Sequence, residues 1–161
     1  MEGIVTTTVD RERLETLSAQ LAALGLSVHW DEPMSAHTTY QIGGPADLFV
    51  IAESQEQLVS ASRQARGLGI VPFVLGGGAN LLVADAGIRG VVIAYRGGSY
   101  TFTEQGGEVL LWSEAGAPFK LLSRESIARD LVGLEWAVDV PGTVGGAVVG
   151  NAGAYGGYIC D

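Results

Sequence analysis

Two glycine runs constrain any fold this chain can adopt: Gly76-Gly77-Gly78-Ala79-Asn80, directly after the apolar run Val71 to Leu75, and Pro141-Gly142-Thr143-Val144-Gly145-Gly146-Ala147. Runs of this kind strip the main chain of side chains, so consecutive N–H groups can converge on an anion and a flat molecule can lie against the backbone. A phosphorylated cofactor suits both properties. The chain holds 24 glycines, about twice the average share, without a Gly-X-Y period or Ser/Gln enrichment, so they are positional and do not mark a low-complexity chain.

Composition narrows the partners. With 161 residues and 47% hydrophobic residues, the chain can build one domain or two small lobes that share a core. A net charge of −9 and a single lysine, Lys120, leave no basic stripe, so nucleic acid and anionic membrane are not expected partners. Any phosphate then falls to backbone amides and isolated arginines. The one cysteine, Cys160, precludes an intrachain disulfide and fits a reducing compartment. Met1 to Glu12 alternates polar and charged residues without the apolar segment of a signal peptide, and the longest apolar stretches fall short of a membrane span. The expectation is a soluble, cytoplasmic protein.

Periodicity predicts a helix after Asp10, with Leu14, Leu17, Leu21 and Leu24 on one face and Gly25 at its end. A polar stretch, His29 to Thr39, precedes a strand over Asp47 to Ala52, introduced by Gly43-Gly44-Pro45. Ser54 and Gln57 form a capping box that opens a helix over Gln55 to Gly67. Ile70 to Leu75 and Gly90 to Tyr95 are nearly continuous apolar runs, as expected of buried parallel strands, and the order strand, helix, strand implies a βαβ unit. After Arg96 the pattern changes to an antiparallel pair, Ser99 to Thr103 and Glu108 to Ser113, around Gly106-Gly107. A helix over Pro118 to Asp130 and glycine-punctuated extended chain over Val138 to Val149 follow. A boundary near residues 97 to 100 divides a mixed α/β lobe from a mainly antiparallel one, with one glycine run on each. A cofactor between the lobes would be gripped from both sides.

Familiar nucleotide motifs do not fit. Leu81 stands where the third glycine of G-x-G-x-x-G belongs and no helix is predicted to start there, while no glycine run leads into Gly-Lys-Ser/Thr. What remains is a strand ending in a glycine nest with Asn80, whose amide, like that of Asn151, can serve phosphate, ribitol or a ring edge without adding charge. A mobile loop at Gly76 to Gly78 and a sharp bend at Gly142 to Gly146 stay open as readings of either run alone. His29 and His37 are too isolated for a metal site and suit a surface or turn role. Asp85, Glu135 and Asp139 could be imagined as an acid-base set, but a structural hydrogen bond accounts equally well for Glu135. Cys160 lacks a basic partner and reads as inert. Trp30, Trp112 and Trp136 read as core or edge packing.

Four blocks of residues resemble a known family: Thr38-Thr39-Tyr40-Gln41-Ile42-Gly43-Gly44-Pro45-Ala46-Asp47; Leu75 to Val83; Gly133-Leu134-Glu135 with Pro141 to Ala147; and Asn151-Ala152-Gly153-Ala154-Tyr155-Gly156-Gly157. In this order they are similar to the UDP-N-acetylenolpyruvoylglucosamine reductases, flavoenzymes of peptidoglycan (cell wall) synthesis. The resemblance implies an α+β fold, the two-lobed FAD-binding domain of the vanillyl-alcohol oxidase (PCMH) type, with a small parallel α/β lobe over residues 1–98 and an antiparallel lobe over residues 99–161. It implies non-covalent FAD, with amides of Gly76, Gly77, Gly78, Ala79, Asn80 and Leu81 on the pyrophosphate and Tyr40 and Leu75 beside them. Pro141, Gly142, Thr143, Val144, Gly145, Gly146 and Ala147, with Asn151, Gly153 and Ala154, would line the rest of the cofactor. It also implies NADPH as reductant, a UDP-sugar enolpyruvyl ether as substrate and a monomeric enzyme.

Three departures temper the resemblance. The chain ends at Asp161, so the family's catalytic residues and substrate-binding domain are expected beyond it, and this fragment alone is expected to be inactive. Tyr95-Arg96 has the letters of the family's catalytic Tyr-Arg motif but ends a predicted strand before the second lobe begins. Gln41 stands where the family commonly has a basic residue. Two other readings remain: an FAD-dependent oxidase of the vanillyl-alcohol oxidase group, whose flavin is commonly tethered to His or Cys, and a non-catalytic nucleotide-binding module.

Overall fold

Asp10 opens the first helix by accepting the N–H of Glu12 on its side chain, and α1 (Arg11–Ala23) buries Leu14, Leu17 and Leu21, as their spacing predicts. The computed structural model describes residues 9–160; Met1–Thr8, the start of the segment read as lacking a signal peptide, lies outside them. Among the described residues, no helix is long and apolar enough to cross a membrane. The chain divides into two compact units, Met1–Tyr95 and Arg96–Asp161.

The first unit is a four-stranded sheet built from β1 (Ser27–Pro33), β2 (Pro45–Ala52), β3 (Phe73–Leu75) and β4 (Ile88–Tyr95), with α2 (Gln55–Gly67) between β2 and β3. The order is β1-β2-β4-β3. Strands β2, β4 and β3 run parallel, and β1 lies antiparallel on β2. The predicted strand Ile70 to Leu75 shortens to three residues at the sheet edge. Ser54 caps α2 by accepting from Gln57 N–H, while Gln57 accepts from Glu53 N–H.

Alternation along the parallel strands explains why β2 and β4 are apolar beyond their first residues. Leu48, Val50, Ala52, Val91, Ile93 and Tyr95 face a core with the α1 leucines and with Ala61 and Ala65 of α2. Phe49, Val92 and Ala94 face a second core with Met34, Leu75 and Val83. With both faces covered, Leu48 to Ala52 and Val91 to Tyr95 are apolar on either side, while Asp47 and Arg89, near the starts of β2 and β4, pair with each other.

The polar stretch His29 to Thr39, read as preceding the first strand, itself contains strand residues. Its first half is β1, in which half-buried Val28, Trp30 and Glu32 alternate with exposed positions, and Met34–His37 forms a 3-10 turn. The strand escaped the reading because only one of its faces is covered, so it lacks an apolar run. It still makes six register pairs with β2.

Segments 38–47 and 78–90 run side by side, close enough to exclude side chains. A Cβ on Gly44 would stand 1.9 Å from the Asp85 carbonyl oxygen, and one on Gly87 1.9 Å from that of Pro45. Gly44 N–H donates to Ala84 O at 3.0 Å. At the far end Asp47 receives Gly90 N–H at 2.7 Å and pairs with Arg89 Nη1 at 2.8 Å, while Arg89 Nη2 donates to Pro45 O at 3.0 Å. The sequence Gly43-Gly44-Pro45-Ala46-Asp47 therefore does more than lead into β2.

In the second unit, β5 (Tyr100–Gln105) and β6 (Glu108–Ser113) pair antiparallel around Gly106-Gly107, both at positive φ, the two-residue turn that the double glycine predicts. Helix α3 (Phe119–Ile127) begins after Pro118 with no side-chain cap and ends three residues short of the helix expected over Pro118 to Asp130. The stretch Val138 to Val149, expected to be extended, instead contains α4 (Val144–Val149), capped by Thr143. Short strands β7 (Gly153–Ala154) and β8 (Gly157–Tyr158) form a hairpin. Phe119, Ala137 and Ala147 make a small core with Trp136, whose ring meets that of Phe119 edge-on at 5.6 Å.

Two substitutions test these contacts in chemical denaturation. Leu17→Ala, at a fully buried site, is expected to lower stability by about 2–5 kcal/mol. Gly44→Ala forces a methyl group onto the Asp85 carbonyl and is expected to cost about 3 kcal/mol or more.

Candidate functional site

The first glycine run leaves β3 as an irregular loop. Among the described residues, the main-chain N–H groups of Gly77, Gly78, Ala79 and Asn80 donate to no other main-chain carbonyl. Gly77 and Asn80 are exposed, while Gly78 is buried. Four successive donors without intrachain acceptors, partly open to solvent, match what an anion-binding nest requires.

Gly78 has a reason to be glycine that needs no ligand. Its φ is +66°, and a Cβ there would stand 2.0 Å from the carbonyl oxygen of His37. Its own carbonyl accepts from Thr39 N–H at 3.1 Å. The peptide from His37 to Thr39 is thus the platform beneath the nest. Thr38 is buried and donates through Oγ1 to Ile42 O, and Gln41 N–H returns to Thr38 O, closing a turn that leaves Tyr40 61% exposed. Leu75 and Leu81 belong to the core around Phe49 and Val92, so only their main chain is left for a ligand.

The second run is organised differently. Val144 N–H donates to Ala117 O at 2.9 Å, Gly145 N–H to Ala115 O at 2.8 Å, Gly146 N–H to the Thr143 hydroxyl and Ala147 N–H to Thr143 O. The first turn of α4 has therefore already used its donors on the 115–117 loop and its own cap. What the run can present is a surface poor in side chains. A Cβ on Gly145 would press on Ala115 Cβ at 2.8 Å, whereas one on Gly146 would meet only Thr143 Oγ1 at 3.5 Å. Packing explains the first of these glycines and leaves the second, which is exposed, unexplained.

Asn151, at φ +43°, accepts Cys160 N–H on its side-chain oxygen, which ties the β7–β8 hairpin to the end of α4 and leaves its NH2 group to donate. Gly153 faces the ring of Tyr158, 2.2 Å from where a Cβ would sit, so this glycine is likewise set by packing. Ala154 is half-buried opposite Gly157. A groove of about 430 Å³ lies in this unit, lined by Gly133, Leu134, Trp136, Gly157, Tyr158 and Ile159.

The remaining candidates resolve into structural roles. Among the described residues no group of three or more His, Cys, Asp and Glu could hold a metal. His29 bonds Ser27 Oγ at 2.8 Å, and His37, expected to be a surface or turn residue, is held by Glu32 at 2.9 Å and stacks on Phe49. Asp139 pairs with Arg124 at 3.6 Å. Trp112 is largely exposed on β6, while Trp30 lies beneath the guanidinium of Arg11. Burial pulls the Arg96 guanidinium below its ordinary pKa. The exposed carboxylate of Glu135 is held below the usual range first by its own N–H and then by that of Gly133, at 2.7 Å.

The FAD binding domain family model matches residues 46–161. A UDP-N-acetylenolpyruvoylglucosamine reductase of Chloroflexus aurantiacus is 39% identical over 139 residues, 86% of this chain and 47% of that protein. One from Rubrobacter xylanophilus is 46% identical over 127 residues, 79% of this chain and 42% of that protein. Among solved structures, the UDP-N-acetylenolpyruvylglucosamine reductase of Thermus caldophilus matches at TM-score 0.64 and 34% identity, over 84% of this chain and 46% of that one. Cholesterol oxidase from Brevibacterium sterolicum matches at TM-score 0.59 and 16% identity, over 80% of this chain and 25% of that one, a likeness of fold alone. The chain spans about half the length of the curated relatives it matches.

The two neighbouring glycines of α4 separate packing from ligand demand. Gly145→Ala is expected to cost about 1–3 kcal/mol through the clash with Ala115. Gly146→Ala is expected to be neutral or to stabilise the helix by up to about 1 kcal/mol, since alanine is the better helix former. Chemical denaturation of both variants reads the contrast. Because the Glu135 pKa is depressed in the folded protein, its contribution is present above the unfolded pKa and lost as pH falls through the folded one. Glu135→Gln is expected to flatten that part of the acid limb, read by urea midpoints across the acidic range.

Proposed function

Because the chain belongs to the FAD binding domain family, we propose that it is the FAD-binding part of an NADPH-dependent reductase that converts UDP-N-acetylglucosamine enolpyruvate to UDP-N-acetylmuramate in cell-wall synthesis. Four consecutive unused N–H donors at Gly77 to Asn80, on the loop that leaves edge strand β3, carry the assignment of the diphosphate site. They offer a doubly charged linker hydrogen bonds without a lysine, in a chain that has only one. The names of the relatives support the substrate class.

These residues fit the cofactor by their chemistry. Gly76 to Leu81 would hold the diphosphate through the main chain, with Tyr40 exposed on the neighbouring turn. The run Pro141 to Ala147, with Asn151, Gly153 and Ala154, would contribute contact surface and the Asn151 NH2 group, and amide donors only from outside the first turn of α4. FAD, when bound, supplies the hydride chemistry that links a nicotinamide to an enolpyruvyl double bond. The chain's own part is to bind and orient it. Non-covalent attachment is consistent with both histidines being committed to hydrogen bonds of their own. The cytoplasm, where nucleotide sugars and NADPH are at hand, is the proposed location.

Titration of the protein with FAD, followed by flavin absorbance and fluorescence, tests the reading. Saturable binding with complete flavin release on acid denaturation is the expected result. Gly77→Val and Gly146→Val are expected to abolish binding, the first at the nest and the second by covering the open face of α4. Asn80→Leu is expected to weaken it by about 1–3 kcal/mol. Unchanged affinity in both glycine variants would overturn the assignment of the site.

A further inference from the structure

Of the residues that the first unit gathers around the glycine loop, one is held far more firmly than its position on a 3-10 turn requires. His37 is the last residue of that turn, and its side chain is 20% exposed. Its Nε2 lies 2.9 Å from Glu32 Oε1 on β1, and its ring stacks on that of Phe49 on β2, with centroids 4.1 Å apart and planes 22° from parallel. Phe49 is 1% exposed, fixed at the centre of the sheet. The imidazole is therefore clamped on one side by a rigid aromatic face and at its edge by a carboxylate from the neighbouring strand.

The main chain of the same residue touches the nest. The carbonyl oxygen of His37 lies where a Cβ of Gly78 would be, and two residues on, Thr39 N–H bonds Gly78 O. Moving the His37 peptide moves the support of Gly78, and with it the spacing of the N–H groups on either side. We propose that His37 is a positioning residue for the nest: its ring, locked to β1 and β2, sets the main-chain platform that fixes the four donors of Gly77 to Asn80 in an anion-binding arrangement. The proposal rests on reading that loop as the diphosphate site of FAD, and extends it to a residue that would touch no part of the cofactor. Preorganised donors lose affinity when displaced by a fraction of an ångström, so an indirect residue can carry a large effect.

The test uses the 161-residue chain and a matched pair of variants, His37→Ala and His29→Ala. His29 lies on β1, where its ring bonds Ser27 of the same strand, so its loss controls for removing an imidazole from the same region. In the flavin-free protein, His37→Ala is expected to speed exchange of the Thr39 amide at least about tenfold and to lower the 15N order parameters of Gly77 to Asn80 from about 0.85 toward about 0.6, with α1 and α2 unchanged. FAD affinity is expected to fall about tenfold or more. His29→Ala should alter neither reading. Glu32→Ala, which frees the ring edge without opening a cavity under it, is expected to act in the same direction, and His37→Gln, which can still donate to Glu32, should recover part of the loss.

Unchanged order parameters at Gly77 to Asn80 in both His37→Ala and Glu32→Ala would overturn the proposal. So would loosening spread evenly over the first unit. A wild-type chain that fails to bind FAD while His37→Ala still loosens the loop would overturn the ligand assignment and leave the positioning role standing.

Discussion

The first unit depends on two stretches of main chain lying closer together than side chains permit. Segments 37–47 and 78–90 meet at Gly78 on His37, at Gly44 on Asp85, at Gly87 on Pro45, and finally at the Asp47 carboxylate, which holds both Gly90 N–H and Arg89. Each contact leaves a long connection between β3 and β4 with little freedom. A loop of this length would ordinarily be mobile; here it is laid down against its neighbour at Gly78, Val83, Ala84, Asp85 and Gly87. The donors at Gly77 to Asn80 are the part of that connection whose N–H groups the packing has not used. Donors of this kind, partly open to solvent, can exchange water for an anion without giving up any bond within the chain.

This arrangement sorts the glycines. Gly44, Gly78, Gly87 and Gly145 are required because other backbone or side-chain atoms occupy the space a Cβ would take. Gly77 and Gly146 are exposed, and Gly146 has room to spare. For the second group we propose that the reason is a ligand. A run of glycines is thus two signals superimposed, one of the fold and one of function, and only the structure separates them.

Much of the first unit was legible in the sequence because its elements carry strong, independent signals. The leucine spacing of α1, the Ser54–Gln57 box of α2 and the apolar runs of β2 and β4 each predict the element that forms. The hairpin around Gly106-Gly107 was equally plain. Strand β1 was missed because one bare face leaves it without an apolar run, and α4 because Gly145 and Gly146 lower helix propensity while the Thr143 cap and the carbonyls of Ala115 and Ala117 hold the turn. The donors of Gly77 to Asn80 lie on the run that the sequence singled out, yet its counterpart at Val144 to Ala147 has spent its amides internally, which no local pattern could reveal. His37 was passed over for the same reason: Glu32 is five residues away and Phe49 twelve, a pairing created by the sheet.

The central claim is that the N–H groups of Gly77, Gly78, Ala79 and Asn80 take hold of a flavin's diphosphate. Proton–nitrogen correlation spectra recorded as FAD is added test it most directly. The account predicts downfield amide proton shifts concentrated at these four residues and saturating with the flavin signal. Saturable flavin binding that leaves those four amides unmoved would contradict it.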